Sequence, residues 1–90
     1  MKIQESIIPT LKNDEIVTAA NARVGARVRR GPDWRWDNQD GSGEGTILSF
    51  DPYTQWANVL WDNSYKNEYR IGDDPRNGFA YEGYDLIFAE

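Results

Sequence analysis

The chain has 90 residues and a formal charge of −5, with ten Lys and Arg against fifteen Asp and Glu. Folding at this size hides only about 60% of the surface that the unfolded chain exposes, so the core has to come from a few large side chains, and four Trp, five Tyr and three Phe can supply them. Cysteine and histidine are both absent. That excludes disulfides, zinc sites of thiolate or imidazole, nucleophile pairs that need Cys or His, and the neutral-pH proton shuttle; the acidic balance opposes phosphate backbones and anionic membranes.

Residues 1–22 form a lead-in, because every aromatic residue and every glycine lies after it. Pro9 punctuates this stretch, and "NDEIVTAANA" places Asn13 as a cap ahead of two acids, so the lead-in is expected to be flexible or a short helix. No apolar run approaches the roughly 18 residues of a membrane span, and "MKIQESIIPTLKNDE" lacks the uninterrupted apolar region of a secretion signal. With no Asn-X-Ser/Thr sequon, an intracellular and cytoplasmic setting is the expectation.

Residues 23–90 read as one all-β domain. In "VGARVRR", Val24, Ala26 and Val28 alternate with Gly25, Arg27 and Arg29, giving an apolar face and a cationic one. "GTILSF" predicts a second strand, ended by the turn "DPYT". In the third, "WANVLWD", Ala57, Val59 and Trp61 share one face while Trp56, Asn58 and Leu60 share the other, which makes Trp61 a core residue. "NEYRIG" follows the turn "DNSYK", and "YDLIF" closes the chain. Five short strands joined by turns predict a small, strongly bent antiparallel sheet or barrel.

The segment "RRGPDWRWDNQDGSGEG", Arg29 to Gly45, is dense in acids, rings and glycines. A calcium loop of the EF-hand kind fails on register: with Gly41 at the glycine position the first ligand would be Trp36, and with Gly43 there the last would be Ser49. Asp37, Asp40 and Glu44 are instead expected to bond amides of a glycine-rich turn, so no metal and no cofactor is expected. Asp33, Asp37, Asp40, Asp62 and Asp85 could supply a glycosidase pair only inside walls that exclude water, which so small a domain lacks. No catalytic residue is assigned. Alternation sends Trp34 and Trp36 the same way, so one or both are expected to plug one end of the barrel. Arg23, Arg27, Arg29 and Arg30 form a basic run that either faces single-stranded nucleic acid or is paired with acids across the sheet.

Taken in order, "VGARVRRGPDWRW", "DNQDG", "GTI", "VLWDN", "NEYRIG" and "EGYDL" resemble the Mib-Herc domain of the Mind bomb and Herc groups of ubiquitin ligases. The match runs from about residue 24 to residue 88. The resemblance implies a small SH3-like β-barrel, here with an N-terminal extension, that recognises protein segments such as the tails of ligase substrates and performs no chemistry itself. Two departures stand out. Ser64-Tyr65 occupies a turn where the family usually has glycine after Trp-Asp-Asn, and "DDPRNGFAYEG", Asp73 to Gly83, is longer than the family's loop.

Because loops carry specificity on such scaffolds, Trp34, Tyr65 and Tyr81 are the expected ligand-contacting rings. Arg70 is expected either to hold a ligand carboxylate or to pair with Asp62 or Asp85. The expected partner is a protein or peptide segment, basic to match the acidic domain; membranes and nucleic acid are disfavoured. The rival reading is a chromatin-type reader of methyl-lysine, or a nucleic-acid reader, on the same barrel. An unpaired cationic face at Arg27 and Arg29 would favour the rival.

Overall fold

A computed structural model describes residues 14–73 and 82–89. Six strands make up the regular structure: β1 (Arg27–Arg30), β2 (Gly45–Asp51), β3 (Trp56–Trp61), β4 (Lys66–Asp73), β5 (Glu82–Tyr84) and β6 (Leu86–Phe88). No helix occurs among the described residues. The strands form one antiparallel sheet in the order β5-β4-β3-β2-β1-β6.

The sheet is not closed, so the strand pairing does not amount to the expected barrel. The last predicted strand, "YDLIF", is divided at Asp85: β5 pairs with β4 at one edge, β6 pairs with β1 at the other, and Asp85 is where the chain passes between them. At the crossing point the Asp85 amide donates to the Arg70 carbonyl of β4 at 2.9 Å and its carbonyl accepts from the Gly31 amide just beyond β1, so the residue is shared between the two edges while its carboxylate turns inward to Arg70.

Strand alternation fills one face with Val28, Ile47, Ala57, Val59, Trp61, Tyr69, Ile71, Leu86 and Phe88, all buried. Ala57, Val59 and Trp61 share this face as their spacing predicts, with Trp61 at 1% exposure. A register shift between Ile47 and Ser49 leaves Leu48 exposed and bends β2. The first predicted strand starts later than the pattern suggested, because Gly25 sits at φ 91° and Val24 is left exposed.

The lead-in is partly an integral element. Residues 14–22 contain no helix, and Val17 is buried in the core. Thr18 and Asn21 knot a tight turn here: the Asn21 carboxamide accepts from the Thr18 amide at 2.7 Å, and the Ala22 amide donates to the Thr18 carbonyl at 2.9 Å. Asn13, the expected helix cap, lies outside the described residues.

Candidate functional site

The segment between β1 and β2 is the natural place to look, since its residues are held by turns rather than by a ladder. Successive turns form as Trp34 donates to the Gly31 carbonyl, Gln39 to Trp36, Gly41 to Asn38 and Gly43 to Asp40. Asp33 ties the segment to the edge strand β5, its amide donating to the Tyr84 carbonyl and its carboxylate accepting from the Tyr84 amide at 2.8 Å.

An aromatic cluster sits on this frame. The Trp34 ring stacks on Tyr69 at 5.2 Å between centroids and meets the edge of Trp61 at 5.6 Å. Trp36 meets Tyr69 edge-on, and its indole N–H donates to Asp85 at 2.8 Å. Both tryptophans are therefore partly buried against the core. Such contacts add about 0.5–1.5 kcal/mol per pair to the area they bury. The Tyr69 hydroxyl accepts from the Trp61 indole at 2.9 Å and donates to Gln39 at 2.6 Å, and burial raises its pKa.

Arg30 lies over the Trp34 ring, 5.4 Å from its centroid. It is held there by Asp40, whose two carboxylate oxygens each accept from the guanidinium at 2.8 Å. Burial pushes the Asp40 carboxyl up, but the bonds from Arg30 and from the Ser42 amide outweigh it and leave the pKa below the usual value. Asp40 of the glycine-rich turn thus holds Arg30 and caps the Ser42 amide. Among the described residues no group of three or more Asp or Glu side chains could hold a metal ion.

Arg27 and Arg29 of the basic run are also paired with acids. Arg27 reaches Asp62 at 2.6 Å and Glu44 at 3.2 Å, and Arg29 pairs with Asp14. Glu44, expected on a turn amide, is drawn across the sheet to this cation. Arg27, Arg29 and Arg30 therefore lack the unpaired cationic face that would favour the chromatin or nucleic-acid reading.

The four expected site residues fall in different places. Trp34 is partly buried in the aromatic cluster, and Tyr65 is 44% exposed on the turn between β3 and β4. Arg70 is 2% exposed and pairs with Asp85, the partner offered by the structural alternative. Tyr81 and most of the Asp73 to Gly83 loop lie outside the described residues. Gln39 and Asn63, which had not been singled out, join the segment to the β3–β4 turn: Asn63 donates to the Gln39 carbonyl at 3.3 Å and accepts from the Tyr65 amide at 3.0 Å. The only sequence signal for them is their place inside "DNQDG" and "WDN".

The model of the Mib_herc2 family matches residues 25–81. This chain belongs to the Mib_herc2 family. The Mib_herc2 domain here is 44% identical over 67 residues to the E3 ubiquitin-protein ligase Ufd4 of Drosophila melanogaster, covering 74% of this chain and 2% of that protein. It is 38% identical over 74 residues to the human E3 ubiquitin-protein ligase HERC2, covering 80% of this chain and 1% of that protein. With the Drosophila E3 ubiquitin-protein ligase mind-bomb the identity is 34% over 77 residues, covering 77% of this chain and 6% of that protein. The chain thus spans only a few per cent of the length of these ligases. No helix among the described residues is long and apolar enough to cross a membrane.

Proposed function

We propose that this Mib_herc2 domain is a non-catalytic recognition module of an intracellular ubiquitin ligase, with its curled sheet serving as an SH3-like barrel that binds an extended protein segment. The observation that carries this reading is the chain of contacts linking Trp34, Gln39, Asn63 and Tyr65: Trp34 stacks on Tyr69, the Tyr69 hydroxyl donates to Gln39, and Asn63 bonds both the Gln39 carbonyl and the Tyr65 amide. An exposed ring beside carboxamide donors and acceptors suits a segment that presents both side chains and main chain. Four of the five carboxylates weighed for acid–base chemistry are engaged elsewhere: Asp33 with Tyr84, Asp40 with Arg30, Asp62 with Arg27 and Asp85 with Arg70.

In this reading Trp34, Tyr65 and Tyr81 are the rings that meet the ligand. Arg70 works from beneath, because its guanidinium also donates to the Asp33 carbonyl at 2.9 Å and so sets the position of the segment carrying Trp34. The formal charge of −5 favours ligands bearing Lys or Arg. A peptide array of basic and acidic segments, read with wild type, Tyr65→Ala and Tyr81→Ala at low and high salt, tests the proposal. Expected is a preference for basic segments that weakens with salt, and at least tenfold weaker binding by each variant. Binding that ignores both substitutions, or that prefers acidic segments at every salt concentration, overturns it.

A further inference from the structure

β6 ends the strand order of the sheet, yet its outer edge is occupied. The Asp14 amide donates to the Phe88 carbonyl at 2.8 Å, the Phe88 amide to the Glu15 carbonyl at 2.8 Å, and the Val17 amide to the Leu86 carbonyl at 3.0 Å. Ile16 stands opposite Ile87 in an antiparallel bridge. Val17 is buried in the core and Asp14, Glu15 and Ile16 are exposed, while the Asp14 carboxylate pairs with Arg29 of β1.

Residues 14–17 therefore dock as an added strand does: main-chain bonds along an edge, one aliphatic anchor in a pocket, one ion pair setting register. They lie outside the residues 25–81 that match the family. The lock is also light. Among the described residues, three main-chain bonds, one buried side chain and one exposed ion pair hold the segment to the sheet, whereas β3 is bonded to strands on both sides. Elements attached by few contacts open well before the sheet unfolds, and a strand edge so uncovered is a template for another extended chain.

We propose that the β6 edge is a strand-accepting site held closed by residues 14–17, and that on release it takes an extended segment with the same chemistry: a carboxylate at the place of Asp14 and a β-branched aliphatic three residues later at the place of Val17. This site shares no residue with the Trp34–Tyr65 face, so either can fail without the other.

The test uses the full chain and a fluorescein-labelled peptide of residues 12–22. The peptide binds Val17→Asp protein at least tenfold more tightly than wild type and raises its Tm, because the weakened internal segment yields the edge; a peptide carrying the same Val17→Asp change binds neither protein. Equal binding of the unaltered peptide to both proteins, or to neither, overturns the proposal. Should Val17→Asp fail to fold, hydrogen exchange on the wild-type chain decides. The Val17 and Phe88 amides exchange at least tenfold faster than the Ile47 and Trp61 amides if the segment opens by itself, and a common rate for all four overturns it.

Discussion

Asp85 holds Arg70 through both carboxylate oxygens, Nε to Oδ2 at 3.0 Å and Nη2 to Oδ1 at 2.7 Å, while the Arg70 amide donates to Oδ2 at 2.8 Å and the Asp85 amide donates back to the Arg70 carbonyl at 2.9 Å. Main chain and side chain of one residue thus clamp main chain and side chain of the other. The Trp36 indole completes the shell of Oδ2, and the guanidinium lies 5.9 Å from the Trp36 ring centroid. The close fit extends to Gly83, where a Cβ would stand 2.3 Å from the guanidinium carbon.

Removing one partner of such a pair leaves an uncompensated buried charge, which costs about 3–5 kcal/mol. Asp85→Ala is expected to destabilise by that amount in urea unfolding and to weaken the hold on Trp36. Arg70→Met/Asp85→Leu is expected to cost much less than the two single changes summed, since no charge is then stranded. Additive losses would show that the pair is not coupled as its geometry implies.

Trp61 fills the centre of the sheet, 1% exposed, with its indole bonded to Tyr69. Trp61→Ala should cost about 3–5 kcal/mol, a large share of the stability of a domain this size. Tyr69→Phe removes the acceptor for that indole and the donor to Gln39, and is expected to cost about 1–3 kcal/mol as a buried polar group loses its partner. Thermal melts of the two variants check both figures.

Ser64 sits at φ 79° in the β3–β4 turn, a left-handed conformation in which a side chain is strained. Strain of that kind is of order 1–3 kcal/mol, against about 0.5–1 kcal/mol of added chain entropy for glycine. Ser64→Gly is therefore expected to raise Tm, and a lowered Tm would mean that the turn carries no such strain.

Asp40 is depressed in the folded chain, so the sign is that of a carboxylate stabilised when ionised. Its contribution is present above the unfolded value of about 3.9 and fades as pH falls through the lower folded value. The stability gap between wild type and Asp40→Asn should be widest near pH 6 and should narrow below pH 4, measured as urea midpoints across that range. A gap that stays constant would remove Asp40 from the acid response.

What the sequence by itself determined is the all-β class, the inward face of Ala57, Val59 and Trp61, the packing of Trp34 and Trp36 on the core, and the family; each of these rests on period-two alternation or on local motifs, which act over a few residues. What only the tertiary structure decided are the long-range pairings. The fate of Arg70 depended on whether the chain at Asp85 would return against β4, fifteen residues away, and the split of the last strand into β5 and β6 follows from that same return. Val17 reads locally as one scattered aliphatic ahead of the aromatic domain, but Leu86 and Phe88 supply the backbone partners that carry it into the core. The cationic face of β1 and its pairing with acids were legible as a pattern, whereas the identity of those acids, Asp14, Glu44 and Asp62, was not, because they come from three separate stretches that only the folded sheet brings together.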